Sequence, residues 1–316
     1  MYNGLINVYK EAGYTSNDVV ARLRGILKMR KIGHTGTLDP DAVGVLVVCV
    51  GNGTKLVEML TDHDKEYIAV CRLGVTTDTQ DMSGNILSES DVDVTSERLR
   101  EVVKRFVGEY DQIPPMYSAI KVGGKKLYEL ARAGKEVERK PRRVSIPSIT
   151  ILDDSRLSSN HIFTMEIKCS KGTYIRTLCN DIGEALGCGA AMEHLTRTCV
   201  GSFHLDTAVT LDEIEKRRDE GRLDEIICPT ESIFRDLDLC IIKDSHRRLL
   251  ENGNGFKVED ILKETPDDEM DHIDDSELYE DGVRVRVYSE DKTFFGIYKY
   301  DKRLESFKVE KFFYQP

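Results

Sequence analysis

Apolar and polar positions along this chain change period several times, and each change marks an element. The longest apolar run, Val43-Gly44-Val45-Leu46-Val47-Val48-Cys49-Val50, is far too short to span a bilayer and has the length of a strand covered on both faces. Residues 67–73 have β-forming composition and stop at Gly74, and strand-like segments return at 143–152 and 161–169. Helical spacing appears between them. Val19, Val20, Leu23, Ile26 and Leu27 share one face behind Ser16, which reads as an N-cap. Leu99, Val102, Val103 and Phe106 form a second such face closed by Gly108. Ile175, Leu178, Ile182 and Leu186 form a third that ends at Gly187. Thr210-Leu211-Asp212-Glu213 has the order of a capping box and opens one more helix. Beyond about Asp238, three β-rich segments at 283–288, 293–300 and 306–313 predict a small β unit. Strands and helices in this order place the chain in the α+β class.

Two stretches interrupt the pattern. Gln112-Ile113-Pro114-Pro115-Met116-Tyr117 cannot be regular structure, because neither proline has an N–H to donate. The segment after it reads as loop, short helix over 127–133 and loop again, bounded by Pro141, an excursion from the main fold. The second stretch, 256–281, holds 12 acidic residues and two lysines, a composition that buries little and predicts a solvated insertion.

The net charge of −11 looks unsuited to a polyanionic partner until it is located. The acidic stretch accounts for −10 of it, leaving −1 for the rest. Residues 19–38 carry Arg22, Arg24, Lys28, Arg30 and Lys31 with no acid. Residues 118–143 carry nine basic side chains against three glutamates, a sum of +6. Segregated positive patches are the footprint expected for nucleic acid, although solvated helix faces also collect lysines. The eight cysteines form no C-x-x-C pair, and several sit in apolar stretches, so they read as buried free thiols rather than a metal site. No signal-peptide pattern opens the chain, and a cytoplasmic protein is expected. At 316 residues it suits one large domain and one small one.

Candidate chemistry gathers at Gly33-His34-Thr35-Gly36-Thr37-Leu38-Asp39-Pro40, which joins a carboxylate, an imidazole, two hydroxyls and two glycines just before the apolar run. Pro40 restricts the backbone at Asp39, which is consistent with a reactive carboxylate on a stiffened loop and equally with an ordinary Asp–Pro turn. Gly51-Asn52-Gly53-Thr54-Lys55 lacks the order of a phosphate-binding P-loop.

The Gly33–Pro40 motif closely resembles the catalytic motif of TruB-type tRNA pseudouridine synthases. So do Lys65-Glu66-Tyr67, Thr76-Thr77-Asp78-Thr79-Gln80-Asp81, Pro114-Pro115-Met116-Tyr117-Ser118-Ala119-Ile120-Lys121, Lys171-Gly172-Thr173-Tyr174-Ile175-Arg176-Thr177-Leu178 and Leu195-Thr196-Arg197-Thr198. The likeness runs in the family's order from about Asn3 to Ala208. It departs at Glu11-Ala12, where the family has Lys-Pro-x-Gly, and in the acidic run. The resemblance implies a pseudouridine-synthase fold, a mixed and largely antiparallel sheet flanked by helices. It implies a catalytic domain over 1–238 with a thumb insertion at about 115–143, and a PUA-like β-barrel over 239–316.

By the same resemblance the substrate is the T stem-loop of tRNA, at uridine 55, with no cofactor, no metal, no membrane and no obligate protein partner, the enzyme acting as a monomer. Asp39, Tyr67 and Arg176 are the implied catalytic residues. Asp39 attacks C1′ or removes a C2′ proton, Arg176 keeps it ionised, and Tyr67 stacks on the flipped base, a contact worth roughly 1–3 kcal/mol. RNA-binding positions are His34, which accommodates the displaced nucleotide, Gly36, Thr37, Tyr174 and Leu195. The thumb adds Lys121, Lys125, Lys126, Arg132 and Arg142, suited to phosphates. Two other functions fit the same residues: a tRNA-folding chaperone whose isomerisation is incidental, and a guide-RNA-dependent relative.

Overall fold

A computed structural model of the chain describes residues 2–262 and 279–315, so most of the acidic run read at 256–281 lies outside the described residues. The apolar run is the strand Val43–Val50, buried along almost its whole length. It lies inside a nine-stranded sheet whose main path is Ser148–Asp153, Ile162–Cys169, Lys65–Leu73, Ala190–Val200, Val43–Val50, Gly4–Lys10 and Ile227–Cys228. Its strand pairs are antiparallel except that between Ala190–Val200 and Val43–Val50. The sheet is therefore mixed and largely antiparallel.

The register sets up the site. Ile167 pairs with Tyr67, Tyr67 with Arg197, Arg197 with Gly44, and Gly44 with Lys10. Residues abreast in a sheet point to the same face, so Tyr67, Arg197 and Lys10 form one row across neighbouring strands. Helices flank that row. Ser16–Leu27 buries Val19, Val20 and Leu23 among Val8, Leu46 and Val48. Ile175–Leu186 buries Ile175, Leu178 and Ile182 in the cluster that contains Tyr67, Ala69 and Met165, and ends at Gly187 in the left-handed conformation. The first helix is capped one residue earlier than the pattern indicated. The Thr15 hydroxyl accepts from Asp18 N at 3.1 Å and Asp18 accepts Thr15 N at 2.8 Å, a reciprocal capping box. Ser16 is committed elsewhere: its hydroxyl accepts Leu38 N at 2.9 Å and faces Leu38 O at 3.3 Å.

The opposite face of the central strands carries the second sheet. Leu5, Val45, Val47 and Cys49 pack with Phe203, Phe234, Ile297 and Phe313. This sheet runs Asp238–Ile242, Arg284–Ser289, Phe294–Asp301, Ser306–Phe312, Phe256–Lys257. A bridge between Ile242 and Ile261 draws its two edges together and curls it into a half-barrel. Side chains clamp it in place. Asn52 Nδ2 donates to Phe313 O at 2.7 Å and Lys55 Nζ to Phe312 O at 2.6 Å, while Lys311 Nζ returns to Lys55 O at 3.0 Å.

Two elements differ from the sequence reading for identifiable reasons. The run at 143–152 is split by Pro147 into Arg142–Ile146, which pairs with Gly108–Gln112, and Ser148–Asp153 in the main sheet. The central strand Ala190–Val200 carries no alternating signal, because two register shifts and Glu193, His194, Thr196, Arg197 and Thr198 break the period.

Gly44 holds the functional row together at φ +105°, where a Cβ would stand 2.2 Å from Arg197 O. Gly44→Ala should therefore lower stability by roughly 3 kcal/mol in urea denaturation. A loss below about 1 kcal/mol would show that the two strands can separate freely at this point.

Candidate active site

Above the row, Asp39-Pro40-Asp41-Ala42 forms a β-turn closed by Ala42 N donating to Asp39 O at 3.2 Å, with Pro40 at the position its fixed φ favours. Buried cations hold the turn's backbone. Lys10, fully buried at the end of the row, donates to Glu11 O at 3.0 Å, Pro40 O at 2.9 Å and Ala42 O at 2.6 Å, which uses all three of its donors. Burial pulls Lys10 down to about 8, with the charges of Asp39 and Asp41 resisting. Arg197, also buried, donates to Gly36 O at 3.1 Å and to Val45 O at 2.7 Å. With Ser16 on Leu38, the loop is fixed at Gly36, Leu38, Pro40 and Ala42 while the Asp39 carboxylate stays 37% exposed.

That carboxylate meets Arg176, whose side chain is only 7% exposed. Arg176 Nε lies 3.0 Å from Asp39 Oδ2 and Nη2 donates to Oδ1 at 3.2 Å, a two-pronged contact. The other donors reach Tyr117 O at 3.0 Å, Thr79 O at 3.0 Å and Asp81 Oδ2 at 3.3 Å. Asp81 is held in turn by Thr79 and Ser83. Arg176 thus serves two carboxylates. Burial pushes the Asp39 carboxyl up from its usual range; Arg176 and Lys10 oppose this, and Asp81 and Asp41 add to it, leaving the net shift upward. Asp39 therefore stays ionised at neutral pH less easily than an exposed aspartate does.

Of the three residues expected to be catalytic, the structure joins Asp39 and Arg176 directly and places Tyr67 in the hydrophobic cluster beneath the Asp39 loop. Tyr67 is 8% exposed, clusters with Leu38, Ala42 and Leu195, and has its hydroxyl against Arg197. Burial keeps that phenol protonated. His34 sits at the end of the strand Ile32–His34, with Nδ1 accepting Gly36 N at 3.3 Å. Burial and the Arg197 charge lower its pKa, so it is neutral at pH 7, and no contact joins it to Asp39. Thr37 is exposed beside half-buried Gly36. Tyr174 precedes the Arg176 helix, where burial raises its phenol while Ser118 and the Arg142 charge pull it down. Lys121, Lys125 and Lys126 form a two-stranded hairpin around Gly123 and Gly124, followed by the short helix Leu127–Arg132. Lys121, Lys125, Arg132 and Arg142 are exposed, while Lys126 and Arg132 lie over the Tyr128 ring at 5.4 and 5.6 Å. These cations stand apart from the carboxylates. Lys10, Asp81 and Arg197 are further members of the site that have no role in the sequence reading, although Asp81 and Arg197 lie within the resemblance motifs and Lys10 and Arg197 are charges inside strands.

The profile of the TruB family pseudouridylate synthase (N terminal domain) matches residues 24–175, and that of the tRNA pseudouridylate synthase B C-terminal domain matches 176–235. The tRNA pseudouridine synthase B of Lachnoclostridium phytofermentans is 49% identical over 98% of this chain and 99% of its own. The chain belongs to the TruB family of pseudouridylate synthases. It is an isomerase. Within the family, the Bacillus subtilis tRNA pseudouridine synthase B is 42% identical over 94% of this chain and 93% of its own. Among solved structures, the matching chain of an H/ACA RNP bound to a substrate RNA containing 2′-deoxyuridine superposes with a TM-score of 0.69 at 26% identity. That match covers 99% of this chain and 85% of the other. A Cbf5-Nop10-Gar1 complex gives the same TM-score at 28% identity, with 98% and 85% covered. No helix among the described residues is long and apolar enough to cross a membrane.

The balance of charges around this TruB-family carboxylate can be measured directly. Carboxyl-carbon NMR should place the Asp39 titration above the ordinary aspartate range, and Asp81→Asn should move it down, because Asp81 adds to the upward shift. An unmoved or rising midpoint in that variant would contradict the shared-arginine arrangement.

Proposed function

We propose that the chain converts uridine to pseudouridine in the T loop of tRNA, at position 55, with Asp39 as the nucleophile or base. The observation that carries this reading is the Arg176 fork on a partly exposed Asp39, at the edge of the buried hydrophobic cluster that contains Tyr67. The names of relatives that match over nearly the whole chain support tRNA as the substrate.

The chemistry asks for few groups. The target base is stacked within RNA and must be flipped out before a side chain can reach it. Tyr67 and Leu195 offer the surface against which the flipped ring packs. Neutral His34 occupies the space the nucleotide leaves. Asp39 then assists cleavage of the bond between C1′ and N1, by adding to C1′ or by taking the C2′ proton, and the electron pair of that bond leaves with the base. The base turns and C5 bonds to C1′ as the Asp39–C1′ bond breaks or as C2′ regains its proton; the hydrogen on C5 then leaves as a proton and N1 takes one up. Nothing is oxidised or reduced. Exposed cations of the 115–143 thumb hold phosphates, a grip that weakens steeply with salt. The enzyme acts as a cytoplasmic monomer without a guide RNA or obligate partner; the higher identity to the tRNA enzymes than to the H/ACA chains favours this over the guide-dependent reading.

The test is conversion of unmodified tRNA, mapped by carbodiimide-dependent reverse-transcription stops. The wild-type chain should produce one stop, at position 55. Asp39→Asn should lose activity by about a thousandfold or more while binding the RNA within about threefold. A stop elsewhere would overturn the site assignment, and Asp39→Asn turnover within about tenfold of wild type would overturn the role of Asp39.

A further inference from the structure

Gln112 is the last residue of the strand Gly108–Gln112, immediately before the proline-bound excursion with its exposed cations, and it is 1% exposed. Its carboxamide meets the Tyr110 hydroxyl on its own strand and also reaches across to another element. It accepts Tyr174 N at 2.8 Å and donates to Tyr174 O at 3.0 Å, closing a paired contact with backbone 62 residues away. Tyr174 occupies the N-cap position of the Ile175–Leu186 helix, and its own side chain makes no capping hydrogen bond. Two residues further on, Arg176 takes Tyr117 O at 3.0 Å. The incoming arm of the excursion is therefore tied to one helix start at two points, Gln112 and Tyr117. The outgoing arm returns through Arg142, which pairs with Gln112 in the root sheet.

We infer that Gln112 is a positioning residue that registers the RNA-gripping excursion against the helix start carrying Arg176. A phosphate load on the excursion reaches its root at Gln112 and Tyr117; the Tyr117 tie ends at the arginine that holds Asp39, and the Gln112 tie ends at Tyr174, two residues before it. Without the carboxamide, the Tyr174 N–H loses its partner while Tyr174 O keeps Leu178 N at 3.1 Å, and Arg176 has a less fixed base from which to span Asp39, Asp81, Thr79 and Tyr117. Geometry at this fork matters because small misplacements of a catalytic group cost large factors in rate.

The inference rests on the reading of Asp39 as the reacting carboxylate, and the experiment separates the two. Single-turnover conversion of saturating tRNA is measured against pH for wild type, Gln112→Met and Asp39→Asn. Methionine keeps the length and volume of glutamine and removes the polar contacts to Tyr174 and to Tyr110. Gln112→Met should lower the saturating rate about tenfold or more, with RNA affinity within about threefold. The acid limb of its profile should also move to higher pH. Asp39 is faced by Arg176, Asp81, Lys10 and Asp41. Loosening Arg176 leaves Lys10 alone against both carboxylates, so Asp39 protonates more readily. A residue that only keeps the fold would reduce the active fraction and leave the limb where it was. A rate loss below about tenfold, an unmoved limb, or a loss confined to affinity overturns the inference. If Gln112→Met does not fold, Gln112→Asn, which draws the carboxamide back by one methylene, is read by the same outcomes. Turnover by Asp39→Asn would sink the reading of Asp39 whatever Gln112 does; its inactivity leaves the result to bear on Gln112 alone.

Discussion

A guanidinium presents five N–H donors in one plane, and Arg176 uses them on Asp39, Asp81, Thr79 and Tyr117. Those acceptors come from three separate loops, so one buried side chain fixes their mutual positions. A lysine could balance charge there but could not present the planar fork. The cost is a carboxylate taken partly out of water, and the upward shift at Asp39 records that the arginine, shared with Asp81, does not cancel it. The site therefore holds the Asp39 carboxyl above its usual range while keeping its direction fixed.

The sheet makes this arrangement possible. Tyr67, Arg197, Gly44 and Lys10 lie abreast on adjacent strands, and the two charged members of the row both reach up to carbonyls of the Asp39 loop. Helices on either side bury the rest of that face, and the half-barrel covers the other face of the central strands. Buried charges usually carry a desolvation penalty, and here each is offset by hydrogen bonds to backbone oxygens rather than by a matched ion pair.

Much of this was legible in the amino-acid sequence. The helices around Leu23 and Leu178 show as plain periodicity, and the Val43–Val50 strand as an unbroken apolar run. Motif resemblance pointed to Asp39, Tyr67 and Arg176, and of these the structure pairs Asp39 with Arg176. Local reading alone left Asp39 undecided between a turn and a reactive group, and the structure shows that it does sit in a turn. The rest depends on register. Lys10 and Arg197 gain their meaning only because strands distant in sequence place them under one loop. Ala190–Val200 was hidden because two bulges break its alternation, and Pro147 divides what reads as a single strand. Gln112 looks like an unremarkable polar residue until the chain brings Tyr174 to it.

The most direct measurement is the single-turnover rate of tritium release from tRNA labelled at C5 of uridine by Arg176→Lys, compared with its RNA affinity. The variant keeps the positive charge and removes the fork. The account predicts a rate lower by about a hundredfold or more, with binding within about threefold of wild type. A rate within about tenfold of wild type would contradict it, because charge alone would then suffice to hold Asp39 ready.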